Sequence, residues 1–261
     1  MNSARGLSGG IFIQLVLRAI RVDYLDNLSG FAWLVLQPLM LLAVYSFVFT
    51  TIFPARIPGL EPGAFVPFLA IAFWPWTAFS ESVLRASNVV TSNAALIGKV
   101  AFRTELLPLS SVTATFLMQM AGYLAVLVVL QLIGTDIHWL GLVPALVILF
   151  LLYLFALALA LLFSALHVFV RDLGQMLPPL MTFWFFLSPI LYSPSLLPEG
   201  LQTLLRWNPI TWFVVHLREA LMFGELDYSW NDALVPVLIF LLVFLALRFF
   251  RRMSGHFEDF L

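Results

Sequence analysis

Few residues in this chain are of a type that does chemistry, and their spacing excludes most of what they could do. His138, His167, His216 and His256 are scattered, and no two stand at a separation that lets them share a metal ion, so no metal site is expected. With no cysteine present, thiol catalysis, zinc–thiolate sites and disulfides are excluded. The phosphate-binding pattern G-x-x-x-x-G-K-[ST] is absent, and the Gly9-Gly10 pair runs into apolar residues with no lysine to follow it. Nucleophile-elbow and H-E-x-x-H patterns are missing as well. Glu81 stands one helical turn before Arg85, which is the spacing of an ion pair and not of two cooperating carboxylates. What remains are two short charged clusters, Lys99, Phe102, Arg103 and Glu105 in one and Arg171 and Asp172 in the other, together with aromatic residues at 15% of the chain, 26 of them phenylalanine.

The elements that must hold these residues are set by the solvent. Of 261 residues, 62% are hydrophobic and only 10% charged, with a mean hydropathy of +1.01, so most of the chain is expected to lie in a bilayer. A formal net charge of -1 with no basic stripe argues against a nucleic-acid surface. Apolar runs long enough to span occur at about 31–53, 64–84, 106–133, 141–169, 175–193 and 232–250, which predicts an all-α membrane protein of six transmembrane helices. Six crossings place both termini on one side. Arg5, Arg18, Arg21, Arg85, Lys99, Arg103, Arg171, Arg248, Arg251 and Arg252 share that side, against Arg56, Arg206 and Arg218 on the other, so the termini are expected in the cytoplasm. The N-terminal stretch lacks the clean apolar core and cleavage site of a signal peptide and is expected to be retained.

Three further segments have their own signatures. Residues 11–22 put Gln14, Arg18 and Arg21 on one side of a helix and Phe12, Val16, Ala19 and Ile20 on the other, which fits an amphipathic helix in the membrane interface or a cytoplasmic extension of the first span. Pro38, Pro67, Pro75, Pro178, Pro179, Pro189 and Pro194 fall in or beside spans, which lipid tolerates only where neighbouring helices or water satisfy the freed backbone groups. Residues 194–231 are too long for a tight turn and too apolar for a free loop. Two short helices divided by Asn208-Pro209, with Trp207, Trp212 and Phe223, predict a re-entrant helical segment before the last span or an interfacial loop anchored by tryptophan. The expected organisation is an N-terminal cytoplasmic interfacial helix at 1–30, a transmembrane domain at 31–250 and a cytoplasmic tail at 251–261.

Several stretches resemble one family. RAIRVDYLDNLSGFAWLVLQP, from Arg18 to Pro38, is similar to the start of the ABC-2 type permeases that export O-antigen, capsule and teichoic acid, with Gly30, Trp33 and Pro38 matching and Ser29 in the place of a usual leucine. NAALIGKVAFRTELLP, from Asn93 to Pro108, resembles the segment between the second and third spans of that family, with Arg103 replacing a usual proline. Val170-Arg171-Asp172 matches the pair before the fifth span, and Ser188-Pro189-Ile190-Leu191-Tyr192, Pro198-Glu199, Asn208-Pro209-Ile210-Thr211 and Arg218 match the segment closing the external side.

The resemblance implies a permease subunit without catalytic residues: a second copy of itself, two copies of a nucleotide-binding ATPase subunit carrying ATP and Mg, a lipid-linked polysaccharide (O-antigen first) as substrate, and a bacterial cytoplasmic (inner) membrane as its place. On that implication Lys99, Phe102, Arg103, Glu105, Arg171 and Asp172 would couple to the ATPase, although Lys99 and Arg103 also read as positive-inside residues and the Arg171-Asp172 pair as a turn cap. Arg18 and Arg21 would mark the interfacial helix, and Ser188, Pro189, Asn208, Pro209 and Arg218 an external gate. Sugars stack their C–H faces on aromatic rings, so Trp33, Tyr45, Trp184, Phe185, Phe186 and Tyr192 are candidates for a translocation pathway, or else for lipid-facing positions. Trp74 and Trp76 read as helix packing or as interface belt. A permease for a small hydrophobic drug or lipid, and an intramembrane glycosyltransferase, are the competing functions; a channel would need a ring-forming charge within a span.

The absent phosphate loop gives the first test. The purified chain is expected to show no saturable ATP turnover in a phosphate-release assay, and turnover by this polypeptide alone would contradict the reading.

Overall fold

The computed structural model describes residues 2–22, 30–52, 64–97, 103–224, 230 and 232–260, with side chains except at 2–9, 30–35, 37 and 96. Among these residues all regular structure is helical. The α-helices are α1 (Asn2–Ile20), α2 (Gly30–Phe47), α3 (Phe65–Ser92), α4 (Ala94–Ile97), α5 (Leu106–Leu132), α6 (Leu142–Phe169), α7 (Leu173–Leu187), α8 (Glu199–Arg206), α9 (Pro209–Arg218) and α10 (Leu234–Ser254). Wider π-helical turns prolong α2 over Val48–Ile52 and α9 over Glu219–Phe223. Leu106–Leu132, Trp139–Phe169 and Leu234–Ser254 are long and apolar enough to cross a membrane.

Contacts between helix ends set the topology. At one end Phe49 lies against Phe65 with ring centroids 5.6 Å apart, the His138 amide donates to the Leu221 carbonyl at 3.0 Å, and Trp212 Nε1 donates to Asp232 Oδ1 at 2.8 Å. At the other end a ring nitrogen of His167 meets the Ser87 carbonyl at 3.0 Å, Gly174 packs on the His167 ring, and Arg251 pairs with Glu105 at 3.1 Å. Helices α2, α3, α5, α6, α7 and α10 therefore alternate in direction along the chain.

The centre of the bundle is α3. Leu69 through Trp74 are all buried, and the helix packs on α2, α5, α6, α7 and α9. A helix surrounded by protein needs no apolar surface for lipid, so it can hold Trp74, Pro75, Trp76, Ser80 and Glu81; for the same reason its 28 residues do not read as a membrane span by hydropathy. Helix α10 is the opposite case: it covers α6 with one side and exposes Leu238, Leu241, Phe244 and Leu245 on the other.

Pro75 has no N–H and leaves the Ile71 carbonyl without its helical partner. Tyr123 of α5 supplies it, donating its hydroxyl to Ile71 O at 3.0 Å, and Trp74 Nε1 donates to Gln119 O at 3.0 Å alongside. One level further, Arg85 pairs with Glu81 at 2.7 Å as the spacing predicts, and Gln119 Nε2 donates to the same carboxylate. Trp74 and Trp76 are buried among other helices, so the packing reading of these two holds.

Three boundaries differ from the apolar runs. Helix α7 stops at Leu187, short of 193, because a residue before proline is pushed out of the helical region and Ser188, before Pro189, sits at φ -99, ψ 146. Helix α3 continues past 84 to Ser92. Beyond α10 the chain folds back: Phe257 is fully buried between Phe250 and Phe169, at 5.5 and 6.0 Å, and Phe260 meets Phe169 at 4.8 Å.

Gly224 ends the turn after α9 at φ +66, a left-handed cap suited to glycine. Gly141 begins α6 where a Cβ would come within 1.7 Å of the Ala220 carbonyl oxygen, a backbone atom that cannot swing aside. Gly141→Ala is therefore expected to cost about 1–3 kcal/mol of overpacking or more, read as at least a fivefold loss of monodisperse protein after solubilisation. Gly10→Ala, with nothing within 4 Å of its Cβ, is expected to leave yield unchanged.

Candidate functional site

The break after α7 and the start of α9 are built into one assembly. Asn208 caps α9, its Oδ1 accepting from the Ile210 amide at 3.1 Å and from Trp184 Nε1 at 2.9 Å. Its Nδ2 donates to Ser188 Oγ at 2.9 Å and to the Leu187 carbonyl at 3.3 Å, while Ser188 Oγ donates back to the Trp184 carbonyl at 2.8 Å. Pro209 occupies the first turn of α9, where a missing N–H costs nothing.

Arg218, at the far end of α9, is 4% exposed and closes the same break. Its Nη1 donates to Pro189 O and its Nη2 to Ile190 O, both at 2.7 Å, and its Nε to Phe68 O at 3.0 Å. The guanidinium carbon lies 3.3 Å from the Phe68 ring centroid. No carboxylate pairs with it among the described residues; three carbonyl dipoles and a ring face hold the charge. Four of the five gate candidates, Ser188, Pro189, Asn208 and Arg218, thus meet in one network through atoms named above, and Pro209 sets its geometry.

The aromatic candidates divide. Phe185 is buried, stacked on Tyr45 at 5.8 Å and in edge contact with Phe73 at 5.9 Å. Trp184 meets the edges or faces of Trp76, Phe79 and Phe155 at 5.6–6.2 Å. Phe186 is 54% exposed beside Phe185, and Tyr192 donates to the Phe186 carbonyl at 3.4 Å. The side chain of Trp33 lies outside the described residues. Phe73 and Trp76 complete this cluster; sequence had read Trp76 as helix packing or belt and had not singled out Phe73, whose only signal was the period it shares with every other buried residue of α3.

At the opposite end Arg103, Arg171 and Asp172 are exposed, and Lys99 and Phe102 lie outside the described residues. Asp172 stands before α7 without a side-chain cap hydrogen bond. Glu105 is half-buried and held by Arg251, whose Nε and Nη2 reach Oε1 at 3.2 and 3.1 Å. That partner was available in the sequence as the basic run at 248–252 on the same expected face. Arg18 and Arg21 are exposed on α1 and its last turn, and α1 packs on α5, with Val16 buried. A cavity of about 390 Å³ lies between Arg18, Arg85, Asn88 and Ser111. No cluster of metal-binding side chains occurs among the described residues.

Comparison with known proteins adds the lineage. Residues 11–222 match the family described as ABC-2 type transporter. The chain is 25% identical over 253 residues to the O-antigen export system permease protein RfbA of Klebsiella pneumoniae, covering 96% of this chain and 95% of that protein. It is 32% identical over 205 residues to the protein of the same name from Myxococcus xanthus, covering 77% and 76%, and 23% identical over 241 residues to the polysialic acid transport protein KpsM of Escherichia coli, covering 91% of each. An all-helical bundle with apolar helices of membrane length, no phosphate loop and a family match over most of its length has one reading: the chain belongs to the ABC-2 type transporter family.

Proposed function

We propose that this chain is the membrane permease subunit of an ABC exporter that moves a lipid-linked polysaccharide, O-antigen first among them, across the cytoplasmic membrane of a bacterium. The observation that carries the reading is the likeness over 96% of the chain to a permease named for O-antigen export. Six crossings, by α2, α3, α5, α6, α7 and α10, would leave residues 194–224 at one end as a re-entrant cover and α1 at the other in the interface. The clustering of Arg18 with Arg85, and the exposure of Arg103, Arg171 and Arg252 at the same end, support a cytoplasmic placement for it. Two copies would form the conduit, and two copies of a separate ATPase would dock on the loops around Lys99–Glu105 and Arg171-Asp172.

In this arrangement ATP does no chemistry on the chain. Force applied to the cytoplasmic loops travels along α7, whose fixed end is Ser188, and the Asn208 and Arg218 hydrogen bonds are what must yield or hold for the external side to open. Phe186 and Tyr192, beside that break, offer ring faces on which a polymer could stack and slide.

Deleting the gene in its native host is expected to remove polysaccharide from the cell surface and to leave lipid-linked glycan in the inner membrane, read by immunoblot and lipid extraction. Unchanged surface glycan together with altered drug or lipid efflux would overturn the reading in favour of another ABC-2 cargo. Lys99→Glu with Arg103→Glu is expected to abolish co-purification of the ATPase while membrane abundance stays at wild type; normal pull-down and export would reduce both to positive-inside residues. Arg218→Ala leaves the Pro189 and Ile190 carbonyls without the donor that holds them, at about 1–3 kcal/mol each, and is expected to lower membrane abundance severely, with Arg218→Lys intermediate.

A further inference from the structure

A second cavity lies between α6, α9 and α10 and measures about 610 Å³. Its two ends differ in chemistry. Phe155, Leu238 and Leu242 line the apolar end, which continues onto the exposed Leu238–Leu245 face of α10, an apolar surface suited to hydrocarbon. Arg206, Thr211 and Asp232 line the polar end. Trp207, which also lines the cavity, is 84% exposed, as interface tryptophans are.

The polar groups are unequally used. Asp232 Oδ1 accepts from Trp212 Nε1 and from the His216 ring at 3.3 Å, so this carboxylate is engaged. Arg206 is exposed at the mouth and forms no ion pair among the described residues. Thr211 is 9% exposed, yet its hydroxyl oxygen has no hydrogen-bond partner. A cation awaiting an anion and a buried hydroxyl awaiting any partner, at the wet end of an otherwise apolar slot, describe an amphiphile with an anionic head.

We propose that this cavity binds a phospholipid of the leaflet at that end, its phosphodiester at Arg206 and one acyl chain along Leu238 and Leu242. A free sugar would leave the apolar end empty, and a free phosphate would gain nothing from it. Tyr45 and Phe185 stack between α2 and α7 and do not line this cavity, which meets the aromatic cluster at Phe155 and the gate network at Asn208. Bound lipid would brace α9, and with it Arg218, against α10. The inference holds whatever cargo the transporter carries.

The test uses the full chain, delipidated in detergent, with thermal unfolding followed during titration with dioleoyl phosphatidylglycerol, dioleoyl glycerol, glycerol 3-phosphate or a purified O-antigen oligosaccharide. Phosphatidylglycerol is expected to raise Tm saturably, dioleoyl glycerol at least fivefold more weakly, and the two soluble probes not at all. Arg206→Gln should reduce the phosphatidylglycerol response to that of dioleoyl glycerol. Leu238→Trp, which fills the apolar end, should remove both responses, while Val237→Trp, exposed on the same helix but outside the cavity, should titrate as wild type. Equal responses to the two lipids, or wild-type titration by Arg206→Gln, would overturn the proposal, and a rise in Tm with the oligosaccharide alone would make the cavity a sugar site instead.

Discussion

Inside hydrocarbon a backbone carbonyl that loses its helical partner must find another within the protein, and the architecture follows from how three such losses are met. Pro75 frees Ile71, and the Tyr123 hydroxyl takes its place, which binds α3 to α5. The end of α7 frees Leu187, which Asn208 meets, and exposes Pro189 and Ile190, which Arg218 meets while also holding Phe68. Each repair is a long-range contact, with Arg218 reaching 150 residues along the chain to Phe68. The breaks therefore organise the bundle, because a helix that satisfied itself would have no need of its neighbours' polar groups.

Burying Arg218 with no carboxylate beside it among the described residues is costly, and charge-assisted hydrogen bonds of about 1.5–3 kcal/mol each to three carbonyls are what offset it. Such a joint is rigid when complete and poor when half-formed, since every released carbonyl is then left dry. A joint of this kind resists partial opening, which is what the proposed external gate would require.

The two ends of the molecule use different physics. At the break, neutral dipoles and one buried charge do the fastening. At the opposite end, Arg251 holds Glu105, and Phe257 and Phe260 clasp Phe169, so the returning tail ties the loop before α5 to the loop before α7. Glu105 and Phe169, which border the segments proposed to meet the ATPase, are thus linked through the end of α10 and the tail.

The existence of the helices, their apolar character and the missing phosphate loop were legible in the residues alone, because hydropathy over 20-residue windows and a fixed motif are local properties. So was the pairing of Glu81 with Arg85, whereas Ser188, Asn208 and Arg218 stood out only through the family resemblance. Sequence could not say that α3 is the buried centre, since its Trp74, Pro75 and Trp76 lower the hydropathy that an apolar window rewards. Nor could it separate Phe185, sealed among rings, from its neighbour Phe186, open on one side, for the two differ only in which way a helix already made happens to face. That direction, like the three carbonyls of Arg218 and the partner of Glu105, is set by packing between segments far apart in the chain, and only the tertiary structure holds it.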